Sequence, residues 1–432
     1  MQHHIGQAGQ PTQAVSLIKV GNQRECSLSA PKGRLRRVAH QGDDPVTAQQ
    51  KRKGSAGDVA TPDNEKCLHA GILPESPPPG DSMAFQISVE PSRQVFEADA
   101  DEPILEAALR HGLMVPYGCR DGVCGACRSK VLSGQVDHGK IPPVGLGPAE
   151  RESGYALLCC ARAQSDVVIE TRELRSSGDI PVKTLPARVE KMTLATPDVM
   201  LLELKLPASE RLQFLAGQYI DILLKDGRRR AFSLANAPHD DARLQLHIRR
   251  IPGGHFTEHV FTAMKERDLL RINGPHGSFF LREESARPIL LVAGGTGFAP
   301  IKAIVEHAIA EGMQRPMTIY RGARRRPDLY LNALADGWMR EHAAIRYIPV
   351  LSEPTADDGW AGRTGLVHLA AMHDNPDLSA HQVYVCGAPA MVAAARRDFV
   401  GQCGLPEHEF FADAFEFAGD AKAPKVLSNS AD

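Results

Sequence analysis

The spacing of hydrophobic and polar positions changes several times along this chain, and each change predicts a different kind of structure. Residues 1–82 are rich in Gln, Gly, Pro, Ser and charge and show no sustained apolar period, which predicts a disordered extension. Alternating apolar positions then predict short strands at 85–90 and 93–97, followed by one helical segment. Strands near 128–133 and 167–171 would complete a small sheet packed on that helix.

Two further patterns follow. Four alternating segments, broken by Pro, Gly and Asp, predict an antiparallel barrel, and they are 187–192, 199–206, 219–224 and 243–250. A continuous apolar run at 289–293 then indicates a buried parallel strand. Later strands are expected at 317–320, 345–350 and 383–386, each followed by helical sequence. The last region is therefore predicted to be a doubly wound parallel sheet, with its ligand at the C-terminal ends of the strands.

These patterns predict a multidomain protein of α+β and α/β class. The expected divisions are a disordered extension at 1–82, a small α+β domain at 83–175, a barrel at 183–283, a doubly wound domain at 286–418 and a disordered tail at 419–432. Met83 directly precedes the first strand. We interpret it as the initiator, with a translated upstream stretch before it; a regulatory tail is the alternative.

Four cysteines carry the most specific chemical signal. Cys119, Cys124 and Cys127 follow the order C-x4-C-x2-C, and Cys159 follows after 31 intervening residues. This is the plant-type spacing for a [2Fe-2S] cluster. Zinc is the alternative, although zinc sites usually bring two close pairs of ligands. Cys160 is adjacent to Cys159, so the residues alone leave the fourth ligand open between the two.

Composition narrows the function classes. The chain is 43% apolar and 24% charged with a net charge of −2, which gives no reason to expect nucleic acid as a partner. Nine cysteines, four of them assigned to metal, do not imply a disulfide framework, and a reducing compartment is expected. The chain has no run of about eighteen apolar residues, the length needed to span a bilayer, and its first thirty residues lack the apolar core of a signal peptide. We therefore expect a cytoplasmic protein.

Residues 84–172 resemble a plant-type ferredoxin domain. In that family the last ligand cysteine is followed, after a short polar run, by Ser-Asp and a closing strand, and here Ser165-Asp166 occupies that place. The resemblance implies a β-grasp fold and selects Cys159 as the fourth ligand. Arg120 and Arg128 flank the ligand loop and are candidates for recognising an acidic partner, with plain solvated side chains as the alternative.

Arg230, Phe232 and Ser233 resemble the Arg-x-Tyr/Phe-Ser motif of the ferredoxin-NADP reductase superfamily. The resemblance implies that the barrel binds FAD. A guanidinium suits the flavin pyrophosphate, an aromatic face suits the ring system, and a small hydroxyl can hydrogen-bond near flavin N5. Taken alone the motif is weak, because an arginine before a strand phenylalanine is common.

A second motif in the barrel runs from residue 248 to residue 257. Its predicted cofactor-binding residues are Ile248, Arg249, Gly253, Gly254 and Thr257. Two glycines before a threonine place bare backbone amides at a helix N-terminus, which is a site for phosphate. An ordinary turn with a threonine cap is the alternative.

The loop after the first parallel strand departs from the G-x-G-x-x-G fingerprint. Gly295, Thr296, Gly297 and Pro300 instead resemble the Gly-x-Gly-x-x-Pro loop of the same superfamily. There the loop lies against the pyrophosphate and nicotinamide of the nucleotide. The resemblance therefore implies a nicotinamide nucleotide at this loop.

A Cys-Gly pair at the end of the strand predicted at 383–386 resembles the superfamily's second nicotinamide signature. The residues implied are Cys386, Gly387, Pro389 and Met391. In the family the cysteine stands beside the nicotinamide ring during hydride transfer. Buried packing is the alternative for such a pair at a strand end.

Two further segments bear on the cofactors. Arg324 and the two arginines after it could bind a 2′-phosphate and favour NADPH, or be solvated; closely resembling reductases use NADH, which we expect here. Phe415 and Glu416 resemble a C-terminal strand that approaches the flavin. The resemblance implies that Phe415 covers the ring and Glu416 assists with protons, with a packed final strand as the alternative.

The order of the three regions resembles the single-chain iron–sulfur flavoprotein reductases. That resemblance implies transfer of electrons from NADH through FAD and the [2Fe-2S] cluster to a partner protein, because flavin alone can exchange hydride for single electrons. The runs at 249–257 and 294–300 most resemble CDP-6-deoxy-Δ3,4-glucoseen reductases of deoxysugar biosynthesis, whose partner is a dehydratase. The alternative partner is an oxygenase component. A non-enzymatic zinc-bound interaction protein is the remote alternative.

Overall fold

The structure is a computed structural model. It describes residues 83–139, 143–171 and 180–415. The extension predicted at 1–82 and the tail predicted at 419–432 lie outside these residues. Within the described ranges, no helix is both long enough and apolar enough to cross a bilayer.

The first domain is a small mixed sheet packed on one helix. Its strands are β1 (Ala84–Glu90), β2 (Gln94–Asp99), β3 (Arg128–Ser133), β4 (Val136–Asp137), β5 (Tyr155–Leu157), β6 (Arg162–Ala163) and β7 (Val167–Glu170), and its helices are α1 (Ile104–Arg110) and α2 (Pro148–Glu152). The main sheet has the order β2-β1-β7-β3-β5, and β1 and β7 are parallel. Ile104 and Leu105 of α1 are fully buried against this sheet. The arrangement confirms the predicted β-grasp.

The second domain is an antiparallel barrel. Its strands are β8 (Lys183–Thr196), β9 (Val199–Lys205), β10 (Tyr219–Leu223), β11 (Arg229–Ser233), β12 (Leu244–Arg249) and β13 (Leu269–His276), with helix α3 (His255–Thr262) after β12. The strand order is β11-β10-β13-β8-β9-β12. An isolated bridge between Leu234 and Leu246 brings the two ends of this order together. The predicted barrel is therefore confirmed.

The third domain is a six-stranded sheet in which every pairing is parallel. Its strands are β14 (Ile289–Gly294), β15 (Met317–Ala323), β16 (Ile345–Leu351), β17 (Arg363–Thr364), β18 (Gln382–Gly387) and β19 (Phe410–Ala414), in the order β17-β16-β15-β14-β18-β19. Its helices are α4 (Phe298–Ala310), α5 (Asn332–Glu341), α6 (Val367–Asp374) and α7 (Pro389–Gln402).

Alternate residues of the central strand β14 point to opposite faces of this sheet, and both faces are covered. Leu291 lies in one buried core with residues of α4 and α5. Leu290 and Val292 lie in another core with residues of α6 and α7. Because both faces of the strand are buried, its sequence is continuously apolar. The predicted doubly wound sheet is confirmed.

Candidate functional site

One cavity of about 1290 Å³ is lined by all three domains. The residues singled out in the sequence that line it are Cys119, Arg230, Phe232, Ser233, Arg249, Gly254, Thr257, Gly295, Thr296, Arg324, Gly387, Met391 and Phe415. The remaining cofactor candidates lie outside its lining, and they are Ile248, Gly253, Gly297, Pro300, Cys386 and Pro389. A cleft of this size at a domain boundary and at the C-terminal ends of parallel strands suits large cofactors.

The cysteine loop is shaped by positive φ angles and by amides directed at sulfur. Gly122 and Gly125 adopt φ values of +76° and +72°, and Arg120 adopts +64°, a region that favours glycine. The amides of Asp121 and Cys124 each donate to Sγ of Cys119 at 3.4 Å. The amide of Ala126 donates to Sγ of Cys124 at 3.5 Å. Such amides would stabilise thiolate ligands.

The four predicted metal ligands lie in two pairs. The pKa of Cys119 is lowered to about 6, chiefly by a hydrogen bond with the Cys124 thiol. The pKa of Cys159 is raised, chiefly by a hydrogen bond with the Cys127 thiol. Among the described residues no three Cys, His, Asp or Glu side chains converge as the ligands of a single ion. Two pairs of thiols suit a core of two irons, since each iron takes two protein ligands.

Cys160 lies against the ligand loop next to Cys159. Its Sγ is 3.6 Å from Sγ of Cys159. A Cβ on Gly122 would come within 2.5 Å of the same Cys160 sulfur, so this thiol packs against the loop backbone. Cys159 interacts with Cys160 and, more strongly, with the ligand-loop thiol of Cys127. The geometry thus agrees with the fourth ligand that the ferredoxin resemblance selects.

The ligand loop also forms part of the cavity wall. Cys119 and Val123 line the cavity together with Ser233 of the barrel. Cys124 packs against a core of the third domain that includes Phe410. A cluster held by this loop would therefore lie next to the cavity in which the flavin motif is exposed.

The structure brings Ser233 together with an acid that the sequence prediction passed over. Ser233 Oγ donates a hydrogen bond of 3.3 Å to Oδ2 of Asp413, and both side chains are buried. Burial raises the pKa of Asp413 to about 7, although the hydrogen bond from Ser233 opposes this shift. Glu416, the predicted acid, lies outside the described residues. Asp413 is two positions before Phe415, so the alternation of side chains along the final strand was the signal that pointed to it.

Phe415 and Cys386 meet at the end of the sheet. The Phe415 amide donates to the carbonyl of Gly387 at 2.8 Å, and Phe415 lines the cavity. Cys386 is opposite Asp413 in the parallel pairing of β18 and β19. It is fully buried, and burial raises its pKa well above the ordinary value. Cys386 therefore lies directly behind the cavity wall as a neutral thiol.

The glycine turn before α3 is tighter than the sequence suggested. The Gly254 amide, predicted to be bare, donates to the carbonyl of Ile251 at 2.9 Å. The hydroxyl of Thr257 contacts the backbone of Ile251 and the carbonyl of Gly254. Because the first amides of a helix have no partner within it, the amides that suit an anion here are those of the first turn of α3.

The loop after β14 depends on two glycines. A Cβ on Gly297 would lie 2.2 Å from the carbonyl oxygen of Cys386, so glycine allows the loop to touch β18. Gly295 has a φ of +56° and faces the guanidinium of Arg249, which a Cβ would approach to 2.9 Å. The open space in front of Gly295 and Thr296 is part of the cavity, as a nucleotide-binding loop requires.

The arginine cluster at the end of β15 is mostly engaged within the protein. Arg325 contacts Asp358 at 3.3 Å and also Thr355, and Arg326 donates to the carbonyl of Asp358. Arg324 lines the cavity, is 61% exposed and lies 3.6 Å from the carboxylate of Asp328. One arginine and one carboxylate therefore face the cavity at this end.

Arg120 and Arg128 are held within the protein rather than presented to an external partner. Arg120 pairs with Glu106 of α1 at 2.8 Å. Arg128 contacts both Glu150 of its own domain and Glu407 of the third domain. The expectation that these arginines recognise an acidic partner is not supported, because their charges are already paired.

The comparisons with known proteins agree with this architecture. Family models match the chain in three places: the 2Fe-2S iron-sulfur cluster binding domain at 87–164, the oxidoreductase FAD-binding domain at 186–281 and the oxidoreductase NAD-binding domain at 291–397.

Similar proteins align with this chain over almost their whole length. A CDP-6-deoxy-L-threo-D-glycero-4-hexulose-3-dehydrase reductase of Yersinia pseudotuberculosis is 40% identical over 333 residues, which are 77% of this chain and 99% of that protein. Reductase component 2 of a terephthalate 1,2-dioxygenase from Comamonas sp. is 37% identical over 77% of this chain and 98% of its own. The crystal structure of a cytochrome P450 reductase from Amycolatopsis matches with a TM-score of 0.63 and 34% identity, over 77% of this chain and 98% of that one.

The fold and the site define an oxidoreductase with three cofactor-binding domains. The chain belongs to the family of single-chain iron–sulfur flavoprotein reductases within the ferredoxin-NADP reductase superfamily. Its cofactors are a [2Fe-2S] cluster, FAD and a nicotinamide nucleotide. The recognition and the cofactors predicted from the sequence are confirmed.

Proposed function

We propose that this protein passes electrons from NADH, through FAD and the [2Fe-2S] cluster, to a partner protein that uses them one at a time. The observation that carries the proposal is the shared cavity, whose wall combines the cluster ligand Cys119, the barrel residue Ser233 and the nucleotide loop at Gly295. When bound, the flavin supplies the exchange between hydride and single electrons. The predicted boundaries 83–175, 183–283 and 286–418 enclose the three family matches and are part of this proposal.

The residues have separate tasks in this scheme. Arg230 and the first turn of α3 hold the flavin phosphates, and Phe232 packs against the cofactor. Ser233, oriented by Asp413, faces the ring. Phe415 covers the cavity from the opposite wall. Gly297 and Cys386 bring the nucleotide loop and β18 close enough to shape the nicotinamide subsite, and the four thiols of the ligand loop hold the irons.

The contacts of the arginine cluster support NADH over NADPH. Arg325 and Arg326 are tied to Asp358, which leaves Arg324 to face the cavity. Its neighbour Asp328 would repel a 2′-phosphate, whereas a carboxylate readily accepts hydrogen bonds from ribose hydroxyls. A nucleotide would therefore meet less positive charge here than three consecutive arginines in the sequence suggest.

A deoxysugar dehydratase is the partner that the comparisons support best. The reductase from Yersinia, with 40% identity over nearly its full length, is named for a CDP-6-deoxy-hexulose 3-dehydrase. We propose the same partner class here, in a reducing, cytoplasmic setting. None of the seven described cysteines forms a disulfide, which is consistent with such a setting.

The order of carriers is tested by replacing one cluster ligand. In a Cys119→Ser protein, NADH should still bleach the flavin at close to the wild-type rate, whereas reduction of one-electron acceptors should be abolished. Anaerobic stopped-flow absorbance follows the first reaction, and steady-state acceptor reduction follows the second. Equal loss of both reactions, in a folded protein that retains FAD, would contradict the proposed order.

An oxygenase component is the second candidate partner, favoured by the 37% identity to the terephthalate dioxygenase reductase. Reconstitution separates the two. The purified reductase is combined with NADH and either a CDP-6-deoxy-hexulose 3-dehydrase or a terephthalate dioxygenase, and product is measured. Turnover with the dehydrase alone supports the first proposal, and turnover with the dioxygenase alone replaces it with the second.

A further inference from the structure

The backbone just before the first cluster ligand is bound by the barrel through buried hydrogen bonds. The Tyr117 amide donates to Oγ of Ser278 at 2.8 Å, and Ser278 Oγ donates to the Tyr117 carbonyl at 2.7 Å. The Ser278 amide donates to the same carbonyl at 3.1 Å. Tyr219 OH donates to the carbonyl of Gly118 at 2.8 Å. We call these four bonds the interdomain clasp.

The clasp is inaccessible to water. Tyr117, Tyr219 and Ser278 are 3%, 6% and 9% exposed. Buried backbone groups that lose a partner carry the full cost of desolvation, so a polypeptide held in this way has little freedom to shift. The residue that follows the clasp is Cys119, whose sulfur is the first predicted cluster ligand. The clasp therefore holds the backbone at the start of the ligand loop.

Gly118 shows how closely the two sides approach. A Cβ on Gly118 would lie 3.3 Å from Sγ of Cys124 and 3.9 Å from Oδ1 of Asp413. The glycine backbone thus stands between a cluster ligand and the acid that orients Ser233. Since Cys119 and Tyr219 both line the cavity, the clasp joins the cluster loop to a strand that forms part of the cavity wall.

We propose that Ser278 is a positioning residue that, through the interdomain clasp, fixes the cluster loop at the distance and orientation required for electron transfer from the flavin. The inference rests on the proposed order of carriers. Electron transfer between two centres slows steeply as they separate, and small displacements of reacting groups can cost tenfold to about a hundredfold in rate. Ser278 lies outside the cavity lining, so its removal should leave the flavin and nucleotide contacts in place.

The test compares Ser278→Ala with Ser129→Ala in the holoprotein. Ser129 is a matched control, because its side chain is 2% exposed and its Oγ has no hydrogen-bond partner among the described residues. Hydrogen exchange read by mass spectrometry reports the Tyr117 amide. Flash photolysis with a one-electron donor reports electron transfer between flavin and cluster. Electron paramagnetic resonance of the reduced cluster reports whether the cluster itself has changed.

In Ser278→Ala we expect faster exchange at Tyr117, electron transfer between flavin and cluster slowed by about tenfold or more, an unchanged cluster spectrum and wild-type bleaching of the flavin by NADH. Wild-type exchange or wild-type electron transfer in that variant would overturn the proposal. If Ser278→Ala does not fold, Tyr219→Phe, which removes the bond to Gly118 while keeping the ring, is judged by the same exchange and transfer criteria. A wild-type protein in which NADH bleaches the flavin without reducing the cluster would contradict the proposed function instead.

Discussion

The hydroxyl of Ser233 donates a hydrogen bond of 3.3 Å to Oδ2 of Asp413, although 180 positions of sequence separate the two residues. Ser233 ends strand β11 of the barrel, and Asp413 lies in β19 at the edge of the parallel sheet. The bond therefore connects two walls of the cofactor cavity. Because Asp413 accepts the hydrogen bond of the hydroxyl, it fixes the rotation of a side chain that would otherwise be free to turn.

This relationship predicts that the two residues act as one unit in hydride transfer. We expect Ser233→Ala to slow the bleaching of the flavin by NADH about a hundredfold, as removal of one oriented polar group at a reacting centre does. Asp413→Ala should slow it about tenfold, because the hydroxyl remains but loses its orientation. Stopped-flow absorbance of the flavin, normalised to FAD content, measures both rates.

The double variant decides whether the residues are coupled. If Asp413 acts through Ser233, Ser233→Ala combined with Asp413→Ala should be no slower than Ser233→Ala alone. Fully additive losses would show that the two residues contribute separately. Glu409→Gln is the control, since Glu409 is also a buried acid of the third domain but accepts its hydrogen bond from Gln382 outside the cavity.

Features set by short-range sequence were predictable, and features set by contacts between domains were not. The spacing of the cysteines and the turn glycines lies within one loop, so the cluster site could be read directly. The role of Asp413 was not predicted, because its partner Ser233 is 180 positions away and only the assembled fold brings the two side chains together. The pairing of Arg128 with Glu407 spans 279 positions, and only the assembled fold brings them together.

The pairing of the thiols predicts that Cys159, and not Cys160, binds the cluster. Cys160→Ala should retain the wild-type content of iron and sulfide, whereas Cys159→Ala should lose the cluster. Chemical iron and sulfide analysis of anaerobically purified protein, together with the paramagnetic resonance signal after reduction, measures the content. Each variant is the control for the other. Loss of the cluster from Cys160→Ala alone would reverse the assignment.

The carboxylate of Asp328 predicts the nucleotide preference. Asp328→Asn keeps an oxygen that can accept the hydrogen bond from the Arg325 amide but removes the negative charge beside Arg324. We expect kcat/KM for NADPH to rise about tenfold relative to NADH, since one charge interaction near the surface is worth about 1 kcal/mol or slightly more. Steady-state kinetics with both nucleotides measure the ratio. The control is Asp357→Asn, at a nearby exposed acid, which should leave the ratio of the two kcat/KM values unchanged. If Asp328→Asn also left this ratio unchanged, the carboxylate charge of Asp328 would have no role in the preference.

The ion pairs of Arg128 predict a salt-dependent attachment of the first domain to the third. Arg128 is 19% exposed, and its partner Glu407 is 52% exposed and also binds Arg396 at 3.1 Å. For pairs this exposed we expect Arg128→Gln to cost about 1 kcal/mol at low salt, which lowers the thermal midpoint by about 2 °C. Differential scanning calorimetry of the holoprotein measures the shift.

In about 1 M salt, where screening extends over only a few ångströms, most of the difference between the midpoints of Arg128→Gln and wild type should disappear. Arg211→Gln removes a more exposed surface pair with Asp241 and should shift the midpoint less. A shift in Arg128→Gln that persists in high salt would mean that the contact of this arginine with the ring of Tyr155, rather than its charge pairs, stabilises the attachment.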